Sequence, residues 1–328
     1  MSDRVRPFVS VIVATRNRAA LLAETLDAVV AQRWPRDGFE IVVADNGSVD
    51  ATRATVEAVA NRGDAPAVRY LHVTAPGKSA AINHAITEAR GELLAFTDDD
   101  VVPEPLWLER LAAAFEQTRA DFVAGRILPN WETEPPRWLS PALYGVLAVP
   151  DNGTERQHIR PGMSQGVMPI GANMAVRAAV VARIGGWRTD LGKLDGTLRT
   201  GEDHEFFLRL LAAGCTGAYE PTARVRHFVP AERLERSYFR RWMYQNGRDV
   251  ARVEADYPPR TRRLLGVPRY LWRQAASDAA TVVSSILRGD TPRRTAAMLR
   301  LIWFVAYVRE SWFGAPARSS VLRLAEGR

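Results

Sequence analysis

ELLAFTDDDVVP, residues 92–103, is the stretch on which the fold turns. A short apolar run opens it and three adjacent carboxylates follow. Such a run, with no polar face, suits a strand buried on both sides, as in a parallel sheet. Asp98, Asp99 and Asp100 then stand at the strand's carboxyl end, where α/β sheets bind their ligands. Three neighbouring carboxylates repel one another. A divalent cation with a taste for hard oxygen ligands, Mg²⁺ or Mn²⁺, relieves that repulsion. A solvated acidic turn capping the next helix near Pro103 is the plainer alternative, and the residues alone leave both open.

The same pattern extends to either side. Residues 8–14 (FVSVIVA) and 39–44 (FEIVVA) read as further buried strands, and 68–73 as another strand. Helical periodicity fills 19–33, 50–61, 79–89 and 104–119, with breaks at Trp34-Pro35 and Asp37-Gly38. This βαβα order predicts an α/β fold with a Rossmann-like, mainly parallel sheet flanked by helices. A strand follows at 121–127. The proline-rich stretch 129–165, with Trp131 and Trp138, reads as a long loop or an insertion over the sheet edge. Order returns at 170–176, with helices at 177–184 and 202–213 and a last strand at 223–228.

Beyond residue 230 the chain becomes helical and basic. The whole chain of 328 residues holds 44 Lys+Arg and 37 Asp+Glu, a net +7. Residues 231–328 carry 19 basic and 9 acidic side chains, while 1–230 carry 25 and 28. The expected division is therefore an α/β domain, 1–230, and a basic helical extension, 231–328. Arg236, Arg240, Arg248 and Arg252 can share one helix face. Pro268 and Gly289 bound another helix. The apolar run 301–308 is far shorter than the roughly 20 residues that span a bilayer. Trp303, Tyr307, Trp312 and Phe313, set among arginines, suit the interfacial zone of a membrane instead.

Composition, 47% apolar and 25% charged, excludes disordered, collagen-like and disulfide-stapled classes. The lone Cys215 fits a reducing compartment. The N-terminus lacks the apolar stretch of a secretory signal. These features predict a cytoplasmic protein, peripheral on the cytoplasmic face of a membrane.

Other acids lie where the strand order would gather them. Asp45 ends strand two, and serves equally well as a cap for the Asn-Gly turn after it. Glu202 and Asp203 open a helix, where acids also suit the helix dipole; a carboxylate there can act as general base toward a hydroxyl.

VSVIVATRNR (9–18), EIVVADNGSVDAT (40–52), GKSAAINHAI (77–86), LLAFTDDDVVP (93–103), GANMAVRAAVVARIGGW (171–187) and GEDHEFFLRL (201–210), in that order, resemble the family 2 glycosyltransferases of the GT-A fold. The resemblance covers roughly residues 8–230. It implies an inverting, metal-dependent glycosyltransferase that moves a sugar from a nucleoside-diphosphate donor, expected to be UDP-linked. The acceptor would be a hydroxyl of a glycan or a polyprenyl-linked lipid, in cell-surface polysaccharide or glycolipid synthesis. By the same resemblance Thr15, Asn17, Asp45, Lys78, Asn83, Asp98, Asp99 and Asn173 bind the nucleotide or donor. Asp98, Asp100 and His227 hold Mn²⁺ or Mg²⁺. Asp203 is the base, and Glu202 orients the acceptor. The family's usual Asp-Asp pair at strand two reads Ala44-Asp45 here, which leaves the base preference open. Trp131, Trp138 and Trp187 suit sugar stacking or core packing equally.

A metal-dependent nucleotidyltransferase shares the sheet and the acidic motif, but usually carries an early glycine-rich basic loop where this chain has ATRNR. Strand one also lacks the Gly-x-Gly-x-x-Gly turn of dinucleotide binders. The arginine-rich tail suits phosphate contacts, yet no zinc pattern or nucleic-acid motif accompanies it, so no nucleic-acid partner is expected. An oligomer is compatible with everything above.

Overall fold

The computed structural model describes residues 6–163, 167–194, 196–259 and 261–314. The first elements alternate as expected: β1 (Val9–Thr15), α1 (Ala19–Val30), β2 (Phe39–Asp45), α2 (Thr52–Ala60), β3 (Ala67–His72), α3 (Lys78–Glu88) and β4 (Leu93–Asp98). There follow β5 (Val101–Pro103), α4 (Trp107–Thr118), β6 (Phe122–Trp131), β7 (Gln157–Ile159), β8 (Met174–Arg177), α5 (Ala178–Ile184), α6 (Glu202–Ala212) and β9 (Gly217–Val229). The C-terminal region holds α7 (Arg236–Asp256), a small hairpin of β10 (Arg263–Leu264) and β11 (Val267–Pro268), α8 (Arg269–Arg288) and α9 (Thr291–Phe313).

Nine strands form one mixed sheet in the order β3-β2-β1-β4-β8-β6-β9-β5, with β7 on β9. The half β3-β2-β1-β4 is parallel. Beyond it, β8 runs antiparallel to β4 and β6, β6 and β9 are parallel, and β5 and β7 are antiparallel to β9. The parallel half explains its own sequence: Val11 and Ile41 face one apolar layer, their neighbours Ile12 and Val42 the other. Burial of each such side chain contributes about 1.5–3 kcal/mol.

Register assembles the site. Thr15 of β1 lies beside Asp45 of β2, and Ala14 beside Asp98 of β4. The chain turns back immediately after β4, so β5 pairs with β9 and sets Val101 opposite His227. The Phe228 amide donates to the Asp100 carbonyl at 2.8 Å, which fixes His227 next to the acidic motif.

Two segments differ from the sequence reading. The last strand begins at Gly217, six residues earlier than its apolar pattern suggests. Its partner β6 shifts register between Gly125 and Arg126, so Pro221-Thr222-Ala223 bulges out and masks the alternation. The backbones close tightly here: a Cβ on Gly125 would lie 2.3 Å from the Asn173 amide nitrogen. Among its described residues, 129–163, the proline-rich stretch is not a loose insertion. It carries the end of β6, a 3₁₀ segment at Pro141–Leu147 with Leu143 and Leu147 buried, and β7.

The C-terminal helices pack on the sheet assembly. Phe239 and Met243 of α7 and Ala296 and Leu299 of α9 belong to the same apolar cluster as Val11 and Trp107. α7 and α9 cross at Gly247, where a Cβ would sit 2.4 Å from the Trp303 carbonyl. The arginine face read along α7 is largely engaged. Arg248 and Arg252 both donate to Glu310, at 2.8 and 2.6 Å, and Arg236 lies over the Trp138 ring. Of the four aromatics read as interfacial, Tyr307 is buried and the partly buried Trp303 stacks on it, while Trp312 and Phe313 are exposed. No helix among the described residues is long and apolar enough to cross a membrane.

Candidate functional site

A cavity of about 910 Å³ opens over the carboxyl ends of β1 and β4. Thr15, Asn17, Lys78, Asp98, Asp99, Asp100, Glu202, Asp203 and His227 all line it. Each arrives by a local device. Asn17 adopts a left-handed backbone (φ 53°) held from both sides: its amide donates to Ser48 Oγ and its side-chain carbonyl accepts from the Val49 amide, both at 2.8 Å. Gly201, at φ +100°, turns the chain so that Glu202 and Asp203 start α6 facing the cavity.

The three carboxylates occupy three environments. Asp98 is the partly exposed one and accepts from the Lys78 ammonium. Asp99 accepts from the Thr15 hydroxyl at 2.8 Å and from Arg18 at 3.0 Å. Burial, and Asp100 beside it, push Asp99 above the ordinary carboxylate range. Asp100 accepts from the same Arg18 nitrogen, Nη1, at 2.8 Å. Its burial opposes ionisation, but His227 and Arg18 hold it well below the usual range. Lys78 is desolvated too, yet Asp98, Asp203 and Glu202 keep its ammonium firmly charged.

Asp98, Asp100 and His227 offer ligand atoms that all lie within 4.8 Å of one another. His227 Nε2 is 3.3 Å from Asp100 Oδ1, which is buried without a hydrogen-bond partner. A buried carboxylate oxygen without a donor is costly unless something else neutralises it. Two carboxylates at the β4–β5 turn and an imidazole from β9 therefore fit a divalent cation. Arg18, Lys78, Lys193 and Arg233 surround the same space. Burial, then Arg233, Arg18 and Lys78, depress the Lys193 ammonium. An anionic group such as a diphosphate relieves that crowding of positive charge.

Asp203 is held by two fixed donors. Its Oδ2 accepts from the Gly171 amide at 2.9 Å and its Oδ1 from the Trp187 indole at 3.1 Å. The Trp187 ring is clamped between Phe206, stacked at 3.9 Å, and Phe96. Burial and the Asp203 charge push Glu202 up to about 7. Burial alone takes the lining residue His204 down to about 4.

Three residues read as donor contacts lie outside the cavity lining. Asp45 is buried and accepts from Ser48 and from the Tyr70 hydroxyl. Asn173 is saturated: it donates to the Arg126 and Ala223 carbonyls, each at 2.9 Å, and accepts from the Trp107 indole at 2.8 Å. These bonds lock the seam between β6, β8 and β9. Asn83 exchanges two hydrogen bonds, both 2.7 Å, with the backbone of Trp187. It thereby fixes the ring that orients Asp203. Sequence reasoning missed Arg18, whose only signal was its place at the end of ATRNR. It also missed Tyr238, Trp242 and Asn246 of α7, which line the cavity from a region with no motif.

Comparison with known proteins agrees with this geometry. Residues 10–185 match the family model described as Glycosyl transferase family 2. The chain is 30% identical over 239 residues to the succinoglycan biosynthesis protein ExoM of Rhizobium meliloti, covering 72% of each. It is 30% identical over 211 residues to the glycosyltransferase AglE of Haloferax volcanii, covering 63% of this chain and 62% of that one. The fold matches that of the mannosyltransferase PcManGT of Pyrobaculum calidifontis, solved in complex with GDP-Man and Mn²⁺. The TM-score is 0.63 at 22% identity, over 94% of this chain and 88% of that one. With its GT-A architecture and these relatives, the chain belongs to glycosyl transferase family 2 and is a glycosyltransferase.

Proposed function

We propose that the protein is an inverting, metal-dependent glycosyltransferase that takes a sugar from a nucleoside-diphosphate donor, with uridine as the nucleoside, and places it on a hydroxyl of a glycan or lipid-linked acceptor. The observation that carries the reading is the division of carboxylates around one cavity. Asp98 and Asp100 share a cluster with His227, while Asp203 stands apart on α6 with two fixed donors.

In this reading Asp98, Asp100 and His227 hold the divalent cation, which when bound stabilises negative charge on the departing diphosphate. Arg18, Lys193 and Arg233 receive the phosphate oxygens. Asp203 takes the proton of the acceptor hydroxyl as that oxygen forms its bond to the sugar's anomeric carbon, and the bond to the nucleoside diphosphate breaks. Trp187 and the Gly171 amide keep the carboxylate oriented. One base and one displacement invert the anomeric centre. The name of ExoM supports a place in cell-surface polysaccharide synthesis. The basic helices suit a peripheral contact with the cytoplasmic face of a membrane.

The test is a panel of UDP- and GDP-sugars with Mn²⁺ or Mg²⁺, read by product NMR. Release of nucleoside diphosphate with inverted anomeric configuration supports the reading. Retained configuration, or release of pyrophosphate, overturns it.

A further inference from the structure

Among the described residues, ten of the thirteen large apolar side chains left exposed fall between positions 264 and 313. Five of them, Leu264, Leu265, Tyr270, Trp312 and Phe313, gather at one corner around the β10–β11 hairpin. The Trp312 indole donates to the Leu265 carbonyl at 2.8 Å, and the Trp272 indole to the Leu264 carbonyl at 3.1 Å. The start of α8 and the end of α9 thus staple the hairpin tip from two sides.

The turn itself is unusual. Leu265 and Gly266 both have positive φ, 52° and 77°, as the two central residues of a type I′ turn require. Asn, Asp or Gly normally fills the first position, because a larger L residue is strained there. Here it is leucine, with 66% of its surface exposed. Backbone strain is spent on presenting an apolar side chain outward. Leu264 before it and Phe313 (79% exposed) beside Trp312 extend the same tip.

Charge around the tip has one sign. Residues 257–277 contain five arginines and no acid. Arg262, Arg263, Arg269 and Arg273 are exposed. Glu254, the carboxylate beneath them, is half-buried and accepts from the Tyr307 hydroxyl. The cavity also reaches this corner, through Leu271 and through Phe304, whose ring packs edge-on against Trp272 at 5.1 Å.

We propose that this hairpin corner docks on an anionic membrane: Leu264, Leu265, Trp312 and Phe313 enter the interface and the arginine collar meets the headgroups. Apolar tips with indoles at the boundary and cations around them match the layered chemistry of a lipid surface. Docking there sets the apolar arm of the cavity against the bilayer. The proposal rests on the peripheral contact suggested above and gives it a place.

The experiment is flotation of the full chain with vesicles of phosphatidylcholine alone or with about a third phosphatidylglycerol. Wild type is expected to float with anionic vesicles only. Leu264→Glu/Leu265→Glu should weaken this at least about tenfold. Both leucines are exposed, so the variant should keep the wild-type melting temperature and its turnover on a soluble acceptor. Absence of wild-type binding, or equal binding by the variant, overturns the proposal. So does a wild-type dimer that the variant splits to monomers, because a second copy then covers the corner. Lack of sugar transfer by wild type would sink the functional reading and leave the vesicle result standing.

Discussion

At the end of β4, one arginine serves two carboxylates: Arg18 donates to both Asp99 and Asp100. Between α7 and α9 the ratio is reversed, and one carboxylate, Glu310, accepts from both Arg248 and Arg252. The first arrangement gathers acid around a single guanidinium at the cavity wall. The second leaves positive charge in excess on a helical surface. The chain's small net charge hides this contrast. Both halves of the molecule tie arginine to acid, and function follows from which partner is left over.

The contrast breaks most sharply at Asp203. Asp203→Asn keeps an acceptor for only one of the two donors, since Gly171 and Trp187 bond different carboxylate oxygens, and loses the base. Turnover should fall about a thousandfold with donor affinity unchanged, measured by kcat beside equilibrium donor binding. Near-normal kcat would move the base elsewhere. Trp187→Phe keeps the stack on Phe206 but removes one donor to Asp203. A drop of about tenfold in kcat with a shifted pH profile, and little change in KM for the donor, is expected. An unchanged profile would make the indole a packing group only.

On the helical side, Glu310→Gln should cost about 1 kcal/mol in denaturant unfolding, because two half-exposed arginines lose a charged partner. No change would mean the ties between α7 and α9 are purely apolar. A pH-dependent effect concerns Glu202. Its folded-state value near 7 lies above the ordinary 4.5, so ionisation disfavours the folded state as pH rises through that interval. Glu202→Gln removes the penalty. Its melting temperature should match wild type below pH 4.5, exceed it by a margin that grows to pH 7, and hold that margin above. A constant offset at all pH values would remove the titration from the account.

Strands β1, β2 and β4 were legible because they are buried on both faces and carry largely apolar runs. The acids were legible because they follow those runs directly. The rest was hidden for physical reasons. Pro221 and Thr222 bulge out of β9 and break its alternation. Asn173 reads as a polar group near the motif, but three hydrogen bonds consume it inside the sheet seam. Arg18 and Trp187 meet their carboxylates across 81 and 16 positions of sequence, respectively. Such pairings depend on register and helix placement, which no local pattern encodes. The C-terminal cavity wall has no motif because packing, not chemistry, selects its residues.

The separation between a metal-holding cluster and a distant base is tested most directly by Mn²⁺ binding in the presence of nucleoside diphosphate. It can be followed by electron paramagnetic resonance on wild type, Asp100→Ala and Asp203→Asn. The account predicts wild-type affinity in Asp203→Asn and a loss of about a hundredfold in Asp100→Ala. Equal Mn²⁺ affinity in all three proteins would contradict it.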